Sequence, residues 1–156
     1  MKVKSVLFVC LGNICRSPMA EGVFNTLLED RGLKDNYTVD SAGLHAYHEG
    51  DLPDSRMRKH ASKRGYHLTH RSRPVTVEDF DKFDMLIGMD EQNIKGLRSL
   101  TQTDTHRAKI HRMTDFSKAI DAREVPDPYY GGAAGFEHVI DLLEDACEGL
   151  IQELHQ

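Results

Sequence analysis

The sequence contains no run of about eighteen apolar residues, which excludes a transmembrane helix. It has 3 cysteines, an odd number and too few for a disulfide framework, so we expect a protein of the reducing cytoplasm. It also has no long stripe of lysine and arginine, and its formal charge is −5. Both features argue against a nucleic-acid partner, and we expect no membrane partner either.

The N-terminal segment MKVKSVLFVC begins basic and turns apolar, as a signal peptide does. Its apolar part is only about four residues long and no small-residue cleavage site follows, so we interpret it as a buried strand. A chain of 156 residues, 39% of them hydrophobic, can form one core and is too short for two. The sequence therefore predicts a single domain over residues 1–156.

Apolar runs alternate with helical patterns along the chain. The pattern predicts strands at 3–9, 37–41, 83–89 and 109–113, and helices at 18–31, 54–64, 91–100 and about 135–154. Asp90 is the expected N-cap of the third helix, and Thr76–Asp79 has the spacing of a capping box before a short helical turn. This order favours an α/β fold in which helices cover both faces of a parallel sheet.

Cys10 follows the first strand, at the sheet edge where α/β proteins bind ligands. The segment C-L-G-N-I-C-R after that strand has the form of a loop whose backbone N–H groups surround an anion, next to the positive end of a helix dipole. Gly12 and Asn13 can supply the unusual backbone angles of such a loop. We expect Ser17 as the helix N-cap, with Pro18 at the first helical position.

Two side chains of this loop predict phosphate chemistry. The guanidinium of Arg16 can donate two hydrogen bonds to phosphate oxygens at once. Cationic neighbours and a helix N-terminus favour the thiolate form of Cys10, to which the Ser17 hydroxyl can donate. A thiolate below a bound phosphoryl group is placed for in-line attack on phosphorus. Cys147, on the apolar face of the last helix, is interpreted as a core residue, and zinc is disfavoured because no histidine pair lies near the loop.

The run V-C-L-G-N-I-C-R-S-P-M-A-E resembles the phosphate loop of the low-molecular-weight protein tyrosine phosphatases. The segment VPDPYYGG (Val125–Gly132) resembles their general-acid loop, and SAG, EDFDKFDMLIGMDEQN and the helical tail extend the resemblance to nearly the whole chain. The resemblance implies a four-stranded parallel sheet with flanking helices. It also implies hydrolysis of phosphotyrosine in proteins, and of aryl phosphates, through a cysteinyl-phosphate intermediate, with no cofactor and no metal.

The resemblance further assigns roles to individual residues. Cys10 is the nucleophile, and Asp127, which Pro126 and Pro128 flank, is the general acid. The phosphate or another oxyanion is bound by Leu11, Gly12, Asn13, Ile14, Cys15, Arg16 and Ser17.

Residues outside the loop receive roles from the same resemblance. Tyr47, Tyr129 and Tyr130 line a slot for the tyrosine ring, although Tyr130 can alternatively pack against the core. His70 orders Asn13 and Ser17 through hydrogen bonds. His48 lies where relatives vary and can tune substrate preference. The remaining histidines considered are interpreted as solvated rather than metal-binding: His45, His67, His106 and His111.

Several alternatives stay open at this point. Arsenate reductases use the same loop with additional cysteines, but residues 80–113 contain none. Protein-arginine phosphatases carry Thr at the position of Ile14, whose larger side chain favours tyrosine. Cys15 is a possible redox guard that traps oxidised Cys10 as a disulfide, or a residue that packs beneath the loop. A redox sensor, a non-catalytic phosphotyrosine-binding protein and a phosphatase of small metabolites are the other candidates.

Overall fold

A four-stranded parallel sheet forms the centre of the protein in the computed structural model, which describes residues 2–155. Its strand order is β2-β1-β3-β4, so β1 lies between two parallel neighbours and its carboxyl end meets theirs at one edge. The four strands are β1 (Ser5–Cys10), β2 (Thr38–Gly43), β3 (Met85–Gly88) and β4 (Ile110–Arg112). The parallel sheet predicted from the alternation of apolar and helical patterns is confirmed.

Helices cover both faces of this sheet. They are α1 (Arg16–Asp30), α2 (Ser55–Lys63), α3 (Val77–Lys82), α4 (Glu91–Leu100), α5 (Asp104–Ala108) and α6 (Ala133–Leu154), with 3-10 turns at Lys34–Asn36 and Met113–Phe116. Val6 and Phe8 of β1 pack in one apolar cluster with α1 and α6, whereas Leu7 and Val9 pack in a second cluster with α3 and α4. Because successive strand residues point to opposite faces, a continuous apolar β1 supplies both clusters.

The first helix begins two residues earlier than the sequence pattern predicts. Cys15 occupies the N-cap position and α1 starts at Arg16, so the prediction that Ser17 caps the helix is wrong. Pro18 is the third helical residue, where its missing N–H still costs nothing because the first-turn amides have no partner within the helix. The early start leaves the Ser17 hydroxyl free for the loop.

The predicted caps at Asp90 and at Thr76–Asp79 are confirmed, whereas one cap and one helix were not predicted. Asp90 accepts a hydrogen bond from the amide of Asn93 in α4. Asp54, predicted as the first residue of a helix, is instead the N-cap of α2 and accepts from the amides of Arg56 and Met57. Thr76 and Asp79 form the capping box of α3. The helix that was not predicted, α5 (Asp104–Ala108), has only five residues and is too short to show periodicity. No helix within residues 2–155 is both long and apolar enough to span a bilayer.

We predict that Gly149→Ala strongly destabilises the protein, because a Cβ on Gly149 in α6 would lie 1.8 Å from the carbonyl oxygen of Phe116. That backbone atom cannot move away as a flexible side chain can, so we expect a loss of about 2–3 kcal/mol in the free energy of unfolding. The measurement is urea-induced unfolding followed by circular dichroism. The matched control is Gly135→Ala in the same helix, where the nearest atom would be the Pro128 Cβ at 3.9 Å. An equal effect of the two substitutions would contradict the prediction.

Candidate active site

The loop that joins β1 to α1 forms the floor of a pocket of about 330 Å³ at the carboxyl edge of the sheet. The pocket is lined by Cys10, Leu11, Gly12, Ile14, Cys15, Arg16, His45, Tyr47, His48, Asp127, Tyr129 and Tyr130. Cys10 is the last residue of β1 and is buried. The structure therefore brings the predicted nucleophile, the predicted arginine and the predicted acid into one pocket.

The backbone carbonyl groups of this loop accept hydrogen bonds from neighbouring segments, whereas its amides are unpaired. The carbonyl oxygen of Leu11 accepts from the amides of Leu44 and His45, that of Gly12 from the Ser72 hydroxyl, and that of Ile14 from the amide of Asp54. Among residues 2–155, no oxygen accepts a hydrogen bond from the N–H groups of residues 11–17. Because buried amides are nearly always paired, such a ring of free donors is typical of an anion site.

Asn13 provides the sharp turn of the loop. Its φ of +57° lies in the left-handed region, whereas Gly12, the other expected source of unusual angles, does not have a positive φ. Gly12 instead provides space, because a Cβ there would lie 3.3 Å from ring atoms of both His45 and His48. Left-handed Asn costs less than other residues with a Cβ, which explains Asn at this position.

The side chain of Asn13 connects the loop to its surroundings. Its Nδ2 donates to the hydroxyls of Ser17 at 2.8 Å and Ser41 at 3.0 Å, and its Oδ1 accepts from the amide of Arg73 at 3.1 Å. Oδ1 also contacts Nε2 of His70 at 2.9 Å. His70 lies beside Asn13 as predicted, but it reaches Ser17 only through the Asn13 amide.

The hydroxyl of Ser17 contacts the thiol of Cys10, with 3.0 Å between Oγ and Sγ. Since the Asn13 amide donates to this Oγ, the hydroxyl proton is left for Cys10 Sγ or for the carbonyl oxygen of Ala42, which is 3.4 Å away. A hydroxyl donating to sulfur stabilises the thiolate form of a cysteine. Instead of capping the helix, Ser17 therefore acts on the thiol of Cys10.

Arg16 is 2% exposed and lies between two carboxylates. Its Nη1 donates to Oδ2 of Asp90 at 2.6 Å and to the carbonyl oxygen of Val125 at 3.1 Å, while Nη2 lies 3.6 Å from Oδ2 of Asp127. Burial opposes the charge of Arg16, but the neighbouring Cys10 and Asp90 raise the pKa of the guanidinium. Arg16 is therefore a fixed, permanently charged group in the pocket wall.

Asp90, expected from the sequence to be a structural helix cap, also belongs to the site. It both caps α4 and holds Nη1 of Arg16, so it orients the guanidinium while its own backbone starts a helix. Ser41 and Ser72, which hydrogen-bond Asn13 and the loop carbonyl of Gly12, were missed. The only sequence signal for Ser41 is a polar residue in a strand, which is weak.

Aromatic residues form the upper wall of the pocket. The Tyr47 side chain is 85% exposed and Tyr130 is 94% exposed, so the alternative that Tyr130 packs against the core is wrong. Tyr129 is partly buried and lies under Arg56, whose Cζ is 5.1 Å from the ring centroid. Tyr129 also fixes the acid loop, because its amide donates to Oδ1 of Asp127 at 3.0 Å.

The four histidines expected to be solvated differ in burial: His67 is exposed, His45 and His111 are partly buried, and His106 is buried. His45 lines the pocket, with its ring 4.3 Å from that of Tyr47. His106 is buried, which contradicts the prediction, because its Nε2 contacts Asp81 at 2.8 Å and its ring packs against Phe80.

The other two cysteines are buried thiols. Burial raises the pKa of the Cys15 thiol, and the negative charges of Asp54, Cys10 and Asp127 raise it further, so Cys15 is a neutral thiol at pH 7. Burial also raises the pKa of Cys147, which packs in the core against α1 as predicted.

We predict that Asn13→Gly and Asn13→Ala both lower kcat by at least about tenfold, because each leaves the Ser17 hydroxyl without its orienting donor. Glycine keeps the left-handed backbone accessible, whereas alanine adds about 1 kcal/mol of backbone strain. The measurements are kcat with an aryl phosphate and the midpoint of thermal unfolding. Asn13→Gly with full activity would show that the loop holds its shape without this side chain.

Known proteins resemble this chain over nearly its full length. A family model described as low molecular weight phosphotyrosine protein phosphatase matches residues 5–156. The low molecular weight phosphotyrosine protein phosphatase of Homo sapiens is 40% identical over 153 residues, 97% of this chain and 96% of that protein.

Solved structures agree with this result. A protein tyrosine phosphatase from Entamoeba histolytica, crystallised with Hepes in the active site, superposes with a TM-score of 0.94 at 50% identity, over 97% of this chain and 96% of that one. A Drosophila arginine phosphatase superposes with a TM-score of 0.90 at 32% identity, over 100% and 99%. The chain belongs to the low molecular weight phosphotyrosine protein phosphatase family, and it is a protein tyrosine phosphatase.

Proposed function

We propose that this phosphatase transfers the phosphoryl group of phosphotyrosine first to Cys10 and then to water. The observation that carries this mechanism is the ring of unpaired N–H groups of residues 11–17 above the Cys10 thiol. The three phosphoryl oxygens need several hydrogen-bond donors close together, which the unpaired amides of this loop and the guanidinium of Arg16 can supply. Phosphate and other oxyanions are thus the ligands that this floor selects.

In the first step the Cys10 thiolate attacks phosphorus from below. The S–P bond forms as the bond from phosphorus to the phenolic oxygen breaks, and protonated Asp127 gives its proton to that oxygen. Arg16 and the amides stabilise the negative charge on the equatorial oxygens in the transition state.

In the second step a water molecule takes the place of the departed tyrosine. Ionised Asp127 accepts a proton from this water as its oxygen bonds to phosphorus, and the S–P bond breaks. Cys10 leaves as a thiolate, which the Ser17 hydroxyl at 3.0 Å stabilises. Phosphate is the second product, and the enzyme needs no metal or cofactor for either step.

Substrate selection rests on the aromatic wall. Tyr47, Tyr129 and Tyr130 stand above the loop, so a phosphorylated side chain has to pass them before it reaches Cys10. A phosphotyrosine is long enough to pass this aromatic wall with its phosphate on the loop, and its ring can stack on the wall. A phosphoserine is too short to reach the loop. We infer that the partners are tyrosine-phosphorylated proteins in the cytoplasm. His48, whose ring lies 6.5 Å from that of Tyr129, is the candidate for tuning which sequences are preferred.

Cys10→Ser is expected to abolish turnover of an aryl phosphate, because an alcohol at this position is a far weaker nucleophile at neutral pH than a thiolate. The assay is run in EDTA with the release of inorganic phosphate as the readout. Cys147→Ser is the control for a buried cysteine outside the pocket. Near-full activity of the Cys10→Ser variant would refute the mechanism.

Asp127→Asn should lower kcat/KM by about 10²–10⁴ for a substrate with a poor leaving group such as phenolate. The loss in kcat/KM, which reports on the first step, should be much smaller for a substrate whose leaving group is stable without a proton. Comparing kcat/KM for phenyl phosphate and p-nitrophenyl phosphate in the variant tests this role, because the second step needs Asp127 equally for both substrates. Equal losses for the two substrates would remove Asp127 as the general acid.

Phosphoarginine is a second candidate substrate, because one structure similar to this protein is a Drosophila arginine phosphatase. Ile14 lines the pocket and narrows its floor, which favours the flat tyrosine ring. We expect kcat/KM to be higher for a phosphotyrosine peptide than for a phosphoarginine peptide, and Ile14→Thr to reduce the difference.

We also infer that Cys15 protects Cys10 from irreversible oxidation. After a peroxide converts Cys10 to the sulfenic acid, the Cys15 sulfur can displace hydroxide from it and form a disulfide. Because burial keeps Cys15 protonated, this step should be slow at pH 7. Mass spectrometry of peroxide-treated protein, with and without a thiol reductant, distinguishes a reversible disulfide from sulfinic acid.

A further inference from the structure

Behind the phosphate loop, Glu21 of α1, Asp40 of β2 and His70 of the segment after α2 face one another. One ligand atom from each lies within 4.8 Å of the others. Nδ1 of His70 is 3.3 Å from Oδ1 of Asp40 and 3.5 Å from Oε1 of Glu21. All three side chains are partly buried, so the group is shielded from bulk water but remains accessible.

The surroundings fix the orientation of the His70 ring. Asn13 donates with its amide nitrogen to Ser17 and Ser41, so its oxygen faces Nε2 of His70 at 2.9 Å. That oxygen also accepts from the amide of Arg73, so it acts only as an acceptor. Nε2 of His70 therefore carries a hydrogen, and in the neutral ring the lone pair of Nδ1 points towards two carboxylates.

A cation placed between this lone pair and the two carboxylates would satisfy all three groups. A proton on Nδ1 would give charge-assisted hydrogen bonds, whose length is about 2.7–2.9 Å, and both observed separations are longer. Nitrogen and oxygen ligands at about 2.0–2.2 Å from a tetrahedral zinc ion are about 3.3–3.6 Å apart. The separations of 3.3 and 3.5 Å fit the edge of that tetrahedron.

We propose that Glu21, Asp40 and His70 form a Zn²⁺ site behind the active-site loop. Each ligand has the outer partner that such sites use to fix their ligands. Ser41 donates to Oε1 of Glu21 at 2.7 Å, and Arg73 donates to Oδ2 of Asp40 at 3.1 Å. The Nε2–H of His70 is held by Asn13.

The fourth position of the tetrahedron is left for water. Glu21 and His70 also line a cavity of about 320 Å³ between α1 and the segment after α2, which gives an entry path from solvent. Mg²⁺ and Ca²⁺ fit poorly, because they prefer six or more oxygen ligands and this group offers a nitrogen.

The charges around the group set moderate affinity. The positive charge of Arg73, which is paired with Asp40, repels a metal cation. We therefore expect the site to bind zinc more weakly than the same three ligands would without a neighbouring cation.

The experiment uses the Cys10→Ser protein, because an active-site thiolate would itself bind zinc. Zn²⁺ is titrated into this protein and followed by calorimetry, and the thermal unfolding midpoint is recorded with zinc and with EDTA. Glu21→Gln removes one ligand charge but keeps an acceptor for Ser41. Glu29→Gln is the matched control, because Glu29 lies on the same helix and lines the same cavity but is not one of the three ligands.

We expect binding of one zinc ion per chain, weakened at least tenfold by Glu21→Gln and unchanged by Glu29→Gln. Zinc should also raise the unfolding midpoint of the Cys10→Ser protein, since it binds the folded chain. If Glu21→Gln does not fold in EDTA, ¹⁵N spectra of histidine-labelled Cys10→Ser protein decide. Zinc must then shift the Nδ1 resonance of His70. No zinc binding, equal binding by the two Glu variants, or an unmoved His70 resonance would overturn the proposal.

Discussion

The active site depends on one buried amide, the side chain of Asn13. Its backbone has the left-handed conformation that turns the loop, and its side chain uses every donor and acceptor it has. The strain of the turn is therefore offset by the hydrogen bonds that only this conformation allows. Because Asn13 ties Ser17 of the first helix to Ser41 of the second strand and to His70, the loop cannot change shape alone. A bound oxyanion thus meets amides that are already in place.

The parallel sheet determines where this loop can be. β1 is the central strand, so Cys10 leaves the sheet at the point where β2 and β3 also end. Asp90 follows β3 and reaches Arg16, and Asp127 approaches from the loop before α6. A buried arginine needs a charged partner, but a partner that neutralised it completely would leave no attraction for phosphate. Asp90 binds Nη1 closely at 2.6 Å, whereas Asp127 stays at 3.6 Å from Nη2, which leaves that side of the fork open.

The parallel sheet, the helix cap at Asp90 and the loop after β1 follow from patterns that a few neighbouring residues carry, and these could be predicted. The start of α1 could not, because Ser-Pro is a common helix start and nothing local shows that the Ser17 hydroxyl is used by Cys10 instead. The residues that hydrogen-bond the loop could not be predicted from local patterns either. Ser41 and the carboxylate of Asp90 meet the loop only through tertiary packing, across 28 and 74 positions of sequence. The exposure of Tyr130 likewise depends on how the acid loop lies on the surface.

Cys10 and Cys15 show how one loop gives two identical side chains different chemistry. Cys10 faces the pocket, where a hydroxyl donor and the guanidinium of Arg16 act on its sulfur. Cys15 also lines the pocket and occupies the N-cap position of α1, where burial and nearby carboxylates raise its pKa and keep it protonated. A thiolate at Cys15 would repel the charge of a bound phosphoryl group. A neutral thiol does not, so Cys15 can lie beside Cys10 without interfering with the phosphoryl transfer proposed for it.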